Sequence, residues 1–314
     1  MRVPPTGPYS SEMDADHSMP LTNIESESTD PPTSRPLREG QNLLQKGWKA
    51  HLSVKVGRRH GRSRIMARRH EGPLLIQKPF YPRGHDSCQI ILVHPPGGIV
   101  GGDRLRIDVE VGEMAHALIT TPGATRFYKS AGPQASQHAD LRLAQGACLE
   151  WTPQETLLYD ASESRISTQV HMESDSRFLG WDIYGLGRPA ARSHFSHGRC
   201  EQSFSLFRSG RPLWIERNQY QGGGESLDAA WGLAGYTTTG TLVCTGCGTE
   251  SLAKVRGRIE SLNGQRVRIA ATLRADLMIV RGLASQTRTL LDCFSSLREH
   301  LLPSASPAAR IWAT

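Results

Sequence analysis

From about residue 48 to 220 the chain alternates between apolar and polar positions. LRIDVEV (105–111) switches at every residue. ADLRLAQGACLEW (139–151) puts Leu141 and Leu143 on one face and resumes after Gly146, and RISTQVHM (165–172) alternates through Ile166, Thr168, Val170 and Met172. Period two turns one face of a strand inward and the other to solvent. SFSLFRSGRPLWIERN (203–218) reads as a hairpin about a Ser-Gly turn. Such segments, separated by glycine-rich turns roughly every 8–12 residues, predict an all-β domain with no helix before about residue 220. No repeat of fixed period is present, although a β-solenoid with irregular turns would leave none.

The last third changes period. In ESLAKVRGRIESL (250–262), Leu252, Val255, Ile259 and Leu262 recur at helical spacing, weakened by Gly257. RVRIAATLRADLMIVRGL (266–283) predicts two strands around a turn. SQTRTLLDCFSSLREHLL (285–302) predicts a helix with Leu290, Leu291, Phe294, Leu297 and Leu301 on one stripe, stopped by Pro303.

Residues 1–36 break the pattern: they hold seven prolines, six acidic and two basic residues and no apolar periodicity. A segment of this kind cannot bury enough surface to offset its ordering entropy. The expectation is a disordered acidic, Pro-rich tail over 1–45 and a β-rich domain over 46–314. Against a net charge of +7 for the whole, the first 35 residues carry −4, so the remainder carries +11. No apolar run approaches the roughly 18 residues of a membrane span. The N-terminus lacks the charged-then-apolar order of an export signal, which points to the cytoplasm. Six scattered cysteines in a long chain read as free, mostly buried thiols.

HPPGGIVGGD (94–103) raises the question of a phosphate loop. A P-loop requires a lysine and a hydroxyl after its last glycine; here Asp103 and Arg104 follow Gly102. The GxGxxG spacing is also absent, and a strand follows where a helix is needed. A glycine-rich turn between CQIILVH and LRIDVEV fits better. The basic run KVGRRHGRSRIMARRH (55–70) and TRFYKS (125–130) could contact RNA, or form a solvated hairpin tip and an amphipathic strand. Cys244-Thr-Gly-Cys247 lacks a second pair for zinc, and a redox dithiol would want a strand-to-helix context. His194 and His197 could share a metal only within a turn. Glu150, Glu155, Asp160, Asp182 and Glu216 sit beside aromatics or glycines, where a buried carboxylate needs a partner. A pair converging in a cleft would allow hydrolysis, but no nucleophile motif stands out.

Taken together, KGWKA, GPLLIQKPFYP (72–82), HPPGGIVGGD, TTPGATRFYKS (120–130), LEWTPQETLLYD (149–160), GWDIYGLGRP (180–189), FSHG (195–198) and RIWAT (310–314) resemble, in order, the UreD family of urease accessory proteins, also called UreH. The resemblance covers about residues 46–314. It implies a mainly β, β-helix-like domain with a few helices, mostly in the C-terminal third. It also implies a non-enzymatic role: with UreF and the GTPase UreG, such a protein joins apo-urease, where nickel is inserted. A homodimer within that assembly, no tightly bound cofactor, transient nickel, and neither membrane nor nucleic acid as partner follow from the same likeness. Carried over by motif, Asp103 and Asp182 are the first candidates to line a nickel path, and Glu155 and Glu216 the second. Carboxylates hold nickel weakly enough for transit. The competing reading makes all four structural hydrogen-bond acceptors. On the path reading, Asp103→Ala reduces urease activation without unfolding the protein.

Overall fold

The structure, a computed structural model, describes residues 47–313; the tail expected over 1–45 lies outside them. The chain winds in coils. The first holds β1 (Lys49–Arg59), β2 (Arg62–Glu71), β3 (Leu75–Ile76) and β4 (Ser87–Val93). The second holds β5 (Arg104–Val111), β6 (His116–Thr120) and β7 (Thr125–Phe127), and the third β8 (Ala135–Leu143), β9 (Cys148–Trp151) and β10 (Thr156–Leu158). The fourth holds β11 (Ser162–Met172) and β12 (Arg177–Leu186). β13 (Gly198–Arg208) starts a fifth and folds back as β14 (Arg211–Gln221). There follow β15 (Thr238–Cys244), α1 (Thr249–Leu262), the hairpin β16 (Val267–Arg274) and β17 (Leu277–Ala284), and α2 (Thr287–Leu301).

Corresponding strands of successive coils stack into two walls. The first runs β14-β13-β11-β8-β5-β1-β2 and the second β16-β17-β15-β12-β9-β6-β4-β3. The inner pairings of the first wall are parallel, and the two hairpin strands close its edges antiparallel. In the second wall β4, β6, β9 and β12 are parallel, and β15, β17 and β16 extend it antiparallel. β7 and β10 make a short third wall that pairs with β12. This is the β-helix-like architecture that the resemblance implies. Both α-helices fall where the period changes.

Alternation determines the interior. Because parallel neighbours pair without offset, Val54, Val109, Leu141, Val170 and Leu206 form one ladder across the first wall, and all five are buried. Cys88, Ala117, Leu149 and Phe178 form its counterpart on the second, equally buried. The next residue along β12 faces the other way, so Leu179, Trp181 and Ile183 pack on the outer side of the second wall under α1 and α2. The second wall is therefore covered on both faces, and its strand Ser87–Val93 reads as a near-continuous apolar run.

One buried ion cluster ties α2 to this outer face. Glu150 is fully buried on β9. Its carboxylate accepts hydrogen bonds from Arg298 Nε on α2, from His116 Nε2 at 2.7 Å and from the Ser306 amide at 2.7 Å. Burial pulls the His116 imidazole down. Hydrogen bonds and charge from Cys148 and Glu150 outweigh it and push His116 up to about 10, so at neutral pH the carboxylate faces two cations. Gln89 adds bonds to the Ser306 hydroxyl at 2.8 Å and the Pro307 carbonyl at 2.6 Å, and Trp312 donates to the Thr120 hydroxyl at 3.0 Å. Removing one member of a buried charge set leaves the others uncompensated, which costs about 3–5 kcal/mol. Glu150→Ala is accordingly expected to lower unfolding free energy by about that amount in chemical denaturation, with α2 the first element to lose hydrogen-exchange protection.

Candidate functional site

The glycine stretch 94–103 is a turn that stitches three segments together. Ile99 donates its amide to Arg126 O at 2.7 Å and accepts from the Tyr128 amide at 2.9 Å, which joins the turn to β7. The Tyr128 ring lies where a side chain on Gly98 would project, 2.0 Å from a Cβ there. Gly47 and Gly102 touch backbone to backbone, with a Cβ on Gly47 falling 2.0 Å from the Gly102 carbonyl carbon. Asp103 fixes that contact. Its Oδ1 accepts the Trp48 amide at 2.7 Å and its Oδ2 the Val100 amide at 3.0 Å. Both carboxylate oxygens of the buried Asp103 thus bind backbone N–H groups, and it is a turn-capping residue in this geometry.

Asp182 stands in a different setting. Alternation along β12 turns Phe178, Gly180, Asp182 and Tyr184 inward. Asp182 borders two cavities, the second of them open to solvent. One, of about 240 Å³, is lined by Leu105, Ile107, Trp151 and the Gly97–Ile99 turn. The other, of about 500 Å³, is lined by Gln202, Glu216, Asn218, Tyr220 and Arg281, with Trp231 at its edge. Tyr184 borders both as well. Asp182 Oδ2 is buried and has no hydrogen-bond partner among the described residues. Burial raises its carboxyl to about 7, with the Glu216 charge adding to the rise and hydrogen bonding from Gln202 and Tyr184 opposing it. Asn218 in turn donates to the Gln202 amide oxygen at 2.9 Å.

Glu216 enters the larger cavity from β14, opposite Phe204 in the register. Its Oε1 accepts Arg281 Nη2 at 2.8 Å and the Thr241 hydroxyl at 3.3 Å. The fourth candidate points elsewhere: Glu155 accepts the Thr287 hydroxyl at 3.2 Å at the start of α2. The structure thus brings Asp182 and Glu216 to one cavity and leaves Asp103 and Glu155 out of its lining. The first cavity also has His94 on its wall; burial lowers its imidazole and the Asp103 charge opposes that shift. Sequence reasoning passed over Tyr184, Gln202 and Arg281; for the first two, inward parity in an alternating strand beside an acid is the signal.

The remaining candidates resolve locally. Residues 55–70 form the exposed β1–β2 hairpin, turning at His60 and Gly61, both with positive φ. His194 and His197 are exposed, and His197 Nδ1 lies 3.4 Å from Asp160, which also caps the Ser196 and His197 amides at 2.8 Å each. Among the described residues no three His, Cys, Asp or Glu side chains gather closely enough to hold a metal ion. No helix among them is long and apolar enough to cross a membrane.

These features define a β-solenoid-like protein with two cavities that share Asp182 and Tyr184 in their walls. The model of the UreD urease accessory protein family matches residues 49–313. A urease accessory protein UreD of Pseudomonas fluorescens is 40% identical over 277 residues, covering 87% of this chain and 97% of the relative. That of Dechloromonas aromatica is 46% identical over 197 residues, 63% of this chain and 68% of the relative. A protein of Brucella anthropi named urease accessory protein UreD 2 is 36% identical over 277 residues, 86% of this chain and all of the relative. The chain belongs to the UreD family of urease accessory proteins.

The two aspartates give opposite expectations. Asp103→Ala removes the carboxylate that caps the Trp48 and Val100 amides and should cost roughly 1–3 kcal/mol in a thermal or urea melt. Asp182 has a folded-state value of about 7 against 3.8 in the unfolded chain, so native protein binds more protons and loses stability as pH rises through that window. Asp182→Asn removes the penalty. Its stability gain should be small near pH 4, grow up to pH 7 and level off at roughly 4 kcal/mol by pH 8.

Proposed function

We propose that this chain is a non-catalytic scaffold and nickel conduit in urease maturation. In this reading it binds apo-urease in the cytoplasm together with UreF and UreG, as a homodimer within that assembly, and supports GTP-dependent insertion of nickel. GTP hydrolysis falls to the partner, in keeping with the loss of phosphate-loop character in 94–103. Family membership supports the accessory role. The observation that carries the conduit is that both cavities have Asp182 in their walls, with an Oδ2 that has no hydrogen-bond partner among the described residues.

The chemistry suits passage. A hard carboxylate oxygen binds nickel less firmly than thiolate or clustered imidazole, so an ion that stops at Asp182 can leave it. Glu216 offers a second oxygen site in the larger cavity. Its counter-ion Arg281 has a side chain 58% exposed while Glu216 itself is buried, so the guanidinium can leave only if another cation takes over the buried carboxylate. A passing cation can therefore take the place of the guanidinium.

The test is co-expression of the chain with UreF, UreG and apo-urease subunits, followed by pull-down and nickel activation. Wild-type chain should co-purify and activation should depend on it. Asp182→Asn and Glu216→Gln should still co-purify but lower activation several-fold, with the deficit narrowing at high nickel. Variants that activate normally would overturn the conduit and leave the scaffold standing; a folded chain that captures none of these proteins would overturn both.

A further inference from the structure

Cys244 and Cys247 play no part in the cavities or in the ion cluster of α2. The spacing C-x-x-C becomes chemically meaningful only in a strand-to-helix setting, and the structure supplies one. β15 ends at Cys244, Gly246 turns with φ +72°, and Cys247 precedes Gly248, the N-cap of α1. The turn is held at three points. The Cys247 amide donates to Asp276 O at 2.9 Å, the Gly246 amide to Asp276 Oδ2 at 3.1 Å and the Thr245 amide to Phe178 O at 2.9 Å. Asp276 is itself gripped by Arg208 through bonds of 2.9 and 2.8 Å. Within this frame the two thiols lie close enough to interact, and the Cys244 thiol also faces the carbonyls of Thr245 at 3.6 Å and Leu301 at 3.7 Å.

The surroundings divide the roles of the sulfurs. Arg177 packs against the turn, its guanidinium carbon 3.2 Å from where a Cβ on Gly246 would lie. The Cys247 thiol is lowered first by the hydrogen bond from Cys244, and further by Arg177 and the Met278 backbone, against the effect of burial. The hydrogen bond and burial raise Cys244, so it keeps its proton. Cys247 is buried between two exposed glycines, Gly246 and Gly248. Cys88 and Cys200 are pushed by burial to about 11 and about 12 and are poor nucleophiles by comparison.

We propose that Cys244 and Cys247 form a reactive dithiol that hydrogen peroxide oxidises to an intramolecular disulfide. The Cys247 thiolate attacks one peroxide oxygen and the O–O bond breaks. Hydroxide departs, takes up the proton that the thiol had released, and leaves as water; Cys247 is now a sulfenic acid. The Cys244 sulfur then attacks Cys247 Sγ, the S–O bond breaks, and the hydroxyl leaves with the Cys244 proton as a second water. Two thiols have lost two electrons and one peroxide has been reduced to two waters. An external dithiol reverses the bond by exchange. The resulting link fastens the end of β15 to the entry of α1.

The whole chain, reduced and freed of reductant, is treated with hydrogen peroxide at neutral pH, quenched with an alkylating reagent and mapped by mass spectrometry without reduction. The expected result is a two-hydrogen mass loss confined to the peptide holding both cysteines, with the other four still alkylated and the change undone by dithiothreitol. In Cys244→Ser, Cys247 should instead accumulate as a sulfenic acid captured by dimedone. The proposal is overturned if both thiols remain alkylatable at peroxide doses that already oxidise the other cysteines, or if Cys247 in a folded Cys244→Ser chain forms no dimedone adduct. The wild-type peptide map decides the matter even where that variant does not fold.

Discussion

Unshifted pairing of parallel strands from coil to coil is the constraint on which the molecule depends. A residue on one coil meets its counterpart on the next at about 4.8 Å, so each level of the interior must be acceptable to every strand that crosses it. The ladder from Val54 to Leu206 meets that requirement with aliphatic side chains alone. Slipping one strand by a residue would turn its whole apolar set outward, and this is why the alternation in 105–111 and 165–172 is so regular. The ends of the stack pose the opposite problem. An open parallel edge would pair with any other chain, and at both ends of the first wall a hairpin strand covers it with antiparallel partners.

Against this background two buried carboxylates have opposite fates. Glu150 and Asp182 lie on adjacent strands of the second wall, but parity sends Glu150 to the outer face and Asp182 to the interior. Outside, α2 and the segment after it bring Arg298, His116 and the Ser306 amide to Glu150, and the charge is fully compensated. Inside, Asp182 meets Gln202, Tyr184 and the charge of Glu216, none of them a cation. The first arrangement is a fastener. The second is a carboxyl that burial raises to about 7, beside Tyr184 in the wall common to both cavities.

The sequence made strand parity, the two helices and the architectural nature of 94–103 legible because each is encoded within about fifteen residues. Asp103 could be placed at the head of β5, yet nothing nearby shows that the Trp48 amide, 55 residues earlier, takes one of its oxygens. The partner of Glu150 is 148 residues away on a helix, and Glu216 reaches Asp182 only because β14 folds back over the last coil. Such contacts are set by the stacking order, which local patterning does not carry. Glu155 shows the same limit from the other side: its motif resembles that of the other acids, but its side chain faces α2. The strand-to-helix junction around Cys244 was likewise readable as two elements, while the thiol–thiol contact depends on how Asp276, from the β16–β17 turn, pins the loop between them.

The distribution of charge around the larger cavity explains how two acids can share its wall. Two carboxylates facing one apolar space would each raise the other's cost of ionisation. Here the burden is divided: Glu216 is neutralised by Arg281 at 2.8 Å, and Asp182 keeps a proton over much of the neutral range. Both solutions are reversible, one by swinging away a largely exposed side chain and the other by releasing a proton. Both routes to neutrality therefore come from the same two residues, Asp182 and Glu216.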